Sequence, residues 1–195
     1  MMNDLLESVR PIYFFVSAII FLVGIYVGPV IVEKGWSLLL KYPRWLFRLM
    51  QRYLDVRFRF VYLFLIIVLL NNISLFGSFA AGFLIIVPPA AAFFTGFNVA
   101  VITYDIAGWK GIWHMLFNPV AWLEFPAAWL SFSLGFQLAE IQLRHWHWSD
   151  TYRRFVSLVP IYLKYVFTLL ILAALLESAM IVIARKYDDE NRPSA

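Results

Sequence analysis

Uncharged stretches of two lengths dominate the pattern of the chain. Residues 11–32 carry no charged side chain and are bounded by Arg10 and Glu33, and residues 60–104 contain no Lys, Arg, Asp or Glu. A helix needs about 20 predominantly apolar residues to cross the hydrocarbon of a bilayer. The shorter stretch therefore predicts one transmembrane helix, and the longer stretch predicts two.

The same pattern continues to the end of the chain and predicts an all-α, polytopic transmembrane helical bundle. We expect about five spans, at residues 11–32, 60–76, 77–104, 120–139 and 160–184. All of them belong to a single integral membrane domain that covers residues 1–195.

Bulky apolar and basic residues alternate between the first two spans. Pro43 is expected to begin a helix over residues 43–58, in which Arg44, Arg48 and Arg52 recur every four residues. Together with Lys41, this pattern is typical of a basic amphipathic helix that lies on the membrane and contacts anionic lipid. A connector whose arginines are simply solvated is the alternative.

Charge indicates the partner class and the orientation. The net charge of +4 favours anionic lipid over nucleic acid, because the basic residues flank apolar spans. Residues 34–59 carry seven of the sixteen Lys and Arg, which predicts that this connector is cytoplasmic. With an odd number of spans, we expect a multi-pass protein of the cell membrane with its N-terminus outside and its C-terminus in the cytoplasm.

The polar candidates inside the predicted spans are Asn71, Asn72, Asn98, Glu124, Gln137 and Glu177, and all of them except Gln137 form the candidate constellation. An ionised carboxylate at the centre of a bilayer costs about 2.5–3.5 kcal/mol, so each needs a partner or a proton. Small residues follow Glu124 on its own helix face, at Ala127, Ala128, Ser131 and Gly135. Both carboxylates are therefore expected to face protein, either as fasteners between helices or as groups that handle a solute or protons.

Prolines mark four expected helix breaks, at Pro88, Pro89, Pro119 and Pro126. The pair Asn71-Asn72 is expected to cap a tight turn between two spans, and Pro88-Pro89 to end or kink a helix. In the alternative interpretation, a broken helix exposes its backbone to a cavity, as half-helices do in transporters.

Motifs for catalysis or cofactor binding do not stand out. The chain has no Cys, no phosphate-binding glycine loop and no HExxH or GxSxG sequence. His145 and His147, two residues apart, would share a face only in an extended segment, so we expect an interfacial aromatic cluster there and no metal site. The expectation is a protein that is not an enzyme and has no cofactor.

Four segments resemble the stage II sporulation protein M family of integral membrane proteins over nearly the whole chain: PIYFFVSAIIFLVGIYVGPVIV, LLNNISLFGSFAAGFLIIVPP with FFTGFNVAVIT, NPVAWLEFPAAWLSFSLG, and LLILAALLESAMIVI. The positions that match the family pattern are Asn72, Gly82, Pro119, Glu124, Pro126 and Glu177. Many relatives resemble Pro-His-Gly before the Glu, whereas this chain has Pro119-Val120-Ala121. If that His matters for activity in the family, this chain lacks it.

The resemblance implies a polytopic protein that, in spore formers, belongs to an engulfment complex with membrane-anchored, peptidoglycan-degrading partners. The preferred hypothesis is a scaffold or complex subunit that recruits such protein partners. The alternative is a transporter or channel for a small solute or ion, with a polar site near the midplane. Intramembrane small residues also predict a homo-oligomer, with a dimer favoured.

Overall fold

A computed structural model describes residues 9–54 and 59–190. The described residues form helices and connecting turns, with no β-strand. The helices are α1 (Pro11–Glu33), α2 (Ser37–Leu54), α3 (Phe60–Ala80) with a 3₁₀ turn (Ala81–Phe83), α4 (Val87–Leu116), α5 (Ala121–His145), α6 (Trp148–Ile161), a π-helical turn (Tyr162–Phe167) and α7 (Thr168–Glu190).

Four helical stretches of the described structure are long and apolar enough to cross a membrane: Pro11–Glu33, Phe60–Phe83, Val87–Leu116 and Trp148–Tyr187. They confirm the predicted helical bundle and are consistent with a membrane-embedded protein. α5 does not meet the same criterion, although a span at residues 120–139 is expected from the sequence.

Contacts with α5 define the directions of its neighbours. Tyr13 of α1 contacts Phe136 of α5, and Phe21, later in α1, contacts Phe125, earlier in α5. The two helices are therefore antiparallel. Residue numbers rise together along α3 and α5, in the contacts Leu75–Ser131 and Gly82–Gly135. These two helices are parallel.

The remaining long helices complete an alternating arrangement. α4 runs parallel to α1, as the contacts Gly24–Phe97 and Gly28–Val101 show. The α6–α7 helix runs antiparallel to α3, as the contacts Phe83–Trp148 and Asn72–Tyr162 show. Successive long helices therefore reverse direction. We call the end of the bundle where α1 begins the Arg10 end, and the end where α1 finishes the Glu33 end.

α5 lies at the centre of the bundle and contacts α1, α3, α4, α6 and α7. Its interior carries both apolar and polar side chains that are almost fully buried, among them Phe132, Leu134, Leu138, Ser131 and Gln137. A helix covered by protein does not need the continuous apolar surface that lipid requires. The central position therefore explains why α5 is less apolar than the four helices around it.

α1 and α4 approach each other closely through small residues. Gly24 and Gly28 of α1 face Gly96 and Ala100 of α4, each pair at four-residue spacing. A Cβ atom added to Gly96 would stand 2.1 Å from the backbone oxygen of Phe21, which leaves no room for a side chain. Such spacing lets membrane helices pack backbone against backbone and gain van der Waals contact.

The first expected turn is in the wrong place. Asn71 and Asn72 lie inside α3, which continues to Ala80, so they do not cap a turn between spans. The boundary predicted after residue 76 is wrong for the same reason, and the chain reverses at residues 84–86. Both Asn side chains form hydrogen bonds with neighbouring helices, so their polar groups have partners inside a continuous helix.

Only some of the four prolines break a helix in the way expected from the sequence. Pro88 and Pro89 lie in the first turn of α4 and do not kink a span, because the first N–H groups of a helix have no intrahelical partner. Pro119 stands in the turn before α5, which is the break predicted there. Pro126 lies inside α5 without ending it, so that predicted break is wrong. Neighbouring helices make a proline tolerable within a membrane helix.

Two helices begin earlier than predicted. Gly35 adopts a left-handed conformation (φ +66°) that ends α1 and turns the chain, so α2 begins at Ser37 and Pro43 lies within it. The last span, expected at residues 160–184, belongs to a continuous helix that starts at Trp148 and passes through Pro160 and the π-helical turn.

α4 folds back on itself at the Glu33 end. Gly108 adopts non-helical torsion angles (φ 58°, ψ −154°), and the following residues return along the helix. Gly111 then lies against the backbone of Thr103, and the hydroxyl of Thr103 meets the sulfur of Met115 at 3.5 Å.

Tryptophans mark both ends of the bundle. Seven of the eight are exposed: Trp36, Trp45, Trp109 and Trp113 at the Glu33 end, Trp146 and Trp148 at the Arg10 end, and Trp122 at the start of α5. Amphipathic aromatic rings are favoured where the hydrocarbon meets the headgroups.

A Gly→Ala substitution is expected to affect thermal stability differently at Gly96, inside the α1–α4 contact, and at Gly77, outside it. Gly96→Ala is expected to lower the melting temperature of the protein in detergent, because α1 and α4 must separate and overpacking costs about 1–3 kcal/mol. Gly77→Ala, where an added Cβ meets nothing within 4 Å, is expected to leave the melting temperature unchanged or raise it. Intrinsic tryptophan fluorescence measures both, and equal melting temperatures for the two variants would contradict the packing described.

Candidate functional site

Two polar contacts join α3 to α5. The Nδ2 of Asn71 donates a hydrogen bond to the Oε1 of Glu124 at 2.8 Å, and the hydroxyl of Ser131 donates to the backbone oxygen of Leu75 at 2.7 Å. Both bonds lie within the bundle, where a polar group without a partner is costly. They therefore hold the two parallel helices in one register.

Glu124 and Glu177 line the same cavity, of about 330 Å³. The cavity also contacts Asn118 and Met115, which precede α5, and apolar residues of α4, α5 and α7. It therefore lies beside the start of α5, which is level with the middle of α3 where Glu124 bonds to Asn71. The Oδ1 of Asn118 accepts a hydrogen bond from the backbone N–H of Val120 at 2.9 Å, within the turn that precedes α5.

Electrostatics make the two carboxylates of this cavity unusual. Within the described residues, no Lys, Arg or His forms an ion pair with Glu124 or Glu177. Two ionised carboxylates on one cavity repel each other, and burial disfavours the charge of each. A proton or a cation in the cavity would relieve both effects.

Asn72 belongs to a different contact. Its Oδ1 accepts a hydrogen bond at 2.9 Å from the hydroxyl of Tyr162, which is fully buried in the π-helical turn. Neighbouring residues on a helix point in different directions, so Asn71 and Asn72 bond to different helices. Asn72 thus fastens α3 to the α6–α7 helix.

Asn98 joins neither contact. Among the described residues, no donor lies within hydrogen-bonding distance of its buried Oδ1, and the cavity is lined by its neighbour Val99 instead. The expected constellation is therefore divided. Asn71, Glu124 and Glu177 come together, whereas Asn72 and Asn98 stand apart.

The Arg10 end carries a polar cluster that the sequence did not predict. Glu140 accepts hydrogen bonds from Arg10, which directly precedes α1, and, at 2.8 Å, from Arg144. The bond to Glu140 raises the pKa of Arg10 above its ordinary value. One turn before Glu140 on α5, the Oε1 of Gln137 accepts a hydrogen bond from Arg154 of α6 at 2.7 Å.

These contacts tie the central helix to two neighbours. The signal available in the sequence was the position of Arg10 and Glu140 at the edges of uncharged segments. Their pairing depends on how α1 and α5 are oriented, so it could not be read from the chain alone.

The Glu33 end has its own fasteners. The carboxylate of Glu33 accepts hydrogen bonds from the hydroxyl of Tyr104 and, at 3.2 Å, from the Nε1 of Trp109. The guanidinium of Arg44 donates two hydrogen bonds to the carboxylate of Asp105, at 2.7 and 2.9 Å. This hydrogen bonding raises the pKa of Arg44.

The expected lipid-contact residues are thereby separated into two groups. Arg44 is exposed but paired with Asp105, and its contact with lipid stays a prediction. Lys41 and Arg48 are exposed. The side chain of Arg52 lies outside the described part of the structure.

The histidines expected in an aromatic cluster lie in the turn between α5 and α6. The Nδ1 of His147 lies 2.5 Å from the backbone oxygen of His145. Trp148 stacks on Phe83, with 5.7 Å between ring centroids. Within the described residues, no group of three His, Asp or Glu side chains is arranged to hold a metal ion.

The Asn71–Glu124 bond predicts the rank order of three variants. Asn71→Leu is expected to destabilise the bundle by about 0.6–1.7 kcal/mol, the range for hydrogen bonds between membrane helices. Glu124→Gln keeps an acceptor oxygen for Asn71 and is expected to be neutral. Tyr162→Phe removes only the bond to Asn72 and is expected to cost a similar amount to Asn71→Leu. Thermal unfolding in detergent measures the order, and a wild-type melting temperature for Asn71→Leu would contradict it.

No protein-family model, no curated protein and no solved structure matches the chain in the three comparisons made. The geometry of the bundle is therefore the basis on which a function is proposed.

Proposed function

We propose that the chain crosses the cell membrane five times, with α5 as the fifth span. α5 has 25 residues, which corresponds to about 37 Å at 1.5 Å per residue and exceeds a hydrocarbon thickness of about 30 Å. Exposed Trp146 stands at its Arg10 end, where aromatic residues favour the membrane interface. Burial by its neighbours compensates for its lower hydropathy.

The Glu33 end faces the cytoplasm in this proposal, and the N-terminus lies outside. The basic residues of α2, Lys110, and Arg185 and Lys186 near the end of α7 belong to the Glu33 end, and four Lys or Arg belong to the other end: Arg10, Arg144, Arg153 and Arg154. Positive residues concentrate on the cytoplasmic side of membrane proteins.

A pair of cysteine variants tests this orientation, because the chain has no native Cys. Ser149 and Ser37 are exposed at opposite ends of the bundle. An impermeant maleimide added outside intact cells is expected to label Ser149→Cys and not Ser37→Cys. The reverse labelling would overturn the orientation, and labelling of both from one side would overturn the odd number of spans.

Within the membrane, we propose that the protein is a non-enzymatic scaffold or subunit of a membrane complex. The observation that supports this proposal is the use of its interior polar residues. Asn71 bonds to Glu124 of α5, and Asn72 bonds to Tyr162 of the α6–α7 helix. Gln137 of α5 bonds to Arg154 of the same α6–α7 helix. Polar groups committed to helix contacts favour a rigid bundle whose function lies on its exterior.

The motif resemblance to the stage II sporulation protein M family supports the same proposal. It suggests membrane-anchored protein partners, with enzymatic activity supplied by those partners. A homo-oligomer stays a prediction, although Ala127, Ala128, Ser131 and Gly135 are buried inside one chain. A dimer would therefore need a surface other than this small-residue stripe.

A second function is favoured by one specific observation, which is the cavity shared by Glu124 and Glu177. Carboxylates on a cavity of this volume suit a proton or a small cationic solute. In this alternative, the protein is a transporter or channel and Asn71 positions Glu124. Glu124 bonds to Asn71 and its neighbour Phe125 packs on Phe21, near the middle of α3 and of α1, so the cavity reaches the middle of the bundle.

Two measurements on the full chain separate the functions. A scaffold is expected to retain a stoichiometric protein partner through affinity purification from its native membrane, and to give no flux in proteoliposomes. A transporter is expected to move protons, followed with a trapped pH-sensitive dye, or methylammonium.

Matched variants make the flux measurement specific. If the second function holds, Glu124→Gln and Glu177→Gln abolish flux, whereas Asp150→Asn, which removes an exposed carboxylate remote from the cavity, leaves it unchanged. Flux that survives both Gln variants would exclude the cavity as the site. Flux without any retained partner would contradict the scaffold.

A further inference from the structure

The connector helix α2 presents three different sides. Its inward side carries Leu40 and Pro43, which are buried, and Leu40 packs with Ile31, Phe97 and Val101. These partners belong to the flanks of α1 and α4, and Phe97 lies within the uncharged stretch of residues 60–104. α2 therefore lies beside the bundle, at the level of its apolar residues, and not beneath its end.

The outward side of α2 is an exposed apolar stripe. Leu38, Tyr42 and Trp45 follow one another at helical spacing and are 77%, 57% and 52% exposed. The rings of Tyr42 and Trp45 stack with 6.0 Å between centroids. On a helix that leads directly from one membrane span to the next, this stripe faces the surroundings of the bundle.

Lys41 and Arg48 form the third side, next to the apolar stripe. They are seven residues apart, which places them on the same side of the helix about 10 Å from each other. Both are exposed, and within the described residues neither forms an ion pair. Residues 37–54 contain no Asp or Glu, so α2 supplies no counter-charge of its own.

Arg44 has a positioning role between these sides. Its two hydrogen bonds to Asp105 link α2 to the end of α4, and a bidentate pair fixes orientation as well as distance. With Leu40 packed on one side, the helix is held so that its apolar stripe and its two exposed basic residues point away from the bundle.

We propose that α2 is a binding site for anionic phospholipid. Leu38, Tyr42 and Trp45 insert among the acyl chains at the membrane interface, and Lys41 and Arg48 bind the phosphate and the anionic headgroup. The argument is one of charge complementarity together with tethering, because both ends of α2 continue into membrane helices. The site is compatible with a scaffold and with a transporter.

Lipid retention by the intact protein tests the proposal. The full chain is placed in nanodiscs of phosphatidylcholine with phosphatidylglycerol, released in mild detergent and weighed by native mass spectrometry. Wild type is expected to retain phosphatidylglycerol in preference to phosphatidylcholine. The double variant Lys41→Gln/Arg48→Gln is expected to lose this preference, by about fivefold for each basic residue.

Lys110→Gln is the matched control, because Lys110 is an exposed basic residue at the same end of the bundle but outside α2. It is expected to retain the lipid preference of wild type. Equal retention of the two lipids by wild type, or an unchanged preference in the double variant, would overturn the proposal. A preference lost equally in Lys110→Gln would replace a site on α2 with general surface charge.

A photocrosslinking residue at position 42 distinguishes the possible occupants of the stripe. In native membranes, crosslinks to phospholipid support the proposal. Crosslinks to a second copy of the chain or to another protein would overturn it. This measurement does not depend on correct folding of a charge variant, since Lys41, Arg44 and Arg48 stay in place.

Discussion

Polar side chains inside a bilayer must be covered by protein, and this requirement determines where α5 lies. The helix carries Glu124, Ser131 and Gln137, and a lipid-facing position would leave all of them without partners. At the centre of the bundle, each of them finds a donor or acceptor on a neighbouring helix. The other long helices are arranged around this one, and their apolar outer surfaces face the membrane.

The two ends of the bundle differ in how their charges are used. At the Arg10 end, Glu140 lies between Arg10 and Arg144, so acidic and basic groups neutralise each other. Among the described residues, Lys41 and Arg48 at the Glu33 end form no ion pair, although Arg44 pairs with Asp105, and the two carboxylates that share the cavity have no basic partner. Unbalanced charge is the property expected of a surface that binds something else.

Local pattern predicted the helical class and the membrane location because hydrocarbon imposes the same demand on every span. Residues 11–32 show this most clearly, since an uncharged run of this length has few other uses. The pattern failed at Asn71-Asn72 and at Pro126, where turn-forming or helix-breaking residues lie inside helices. Their local preference is overridden by contacts with other helices, such as the bond from Asn71 to Glu124.

The sequence by itself determined which segments are apolar enough to enter a membrane, and that its carboxylates need protein around them. Only the tertiary structure decided which polar residues meet. Asn71 and Asn72 are adjacent in the chain yet bond to different helices, and Glu124 shares a cavity with Glu177 rather than with Asn98. Hydropathy depends on the composition of a segment, whereas a polar contact depends on the direction, rotation and register of two helices, which close packing alone establishes.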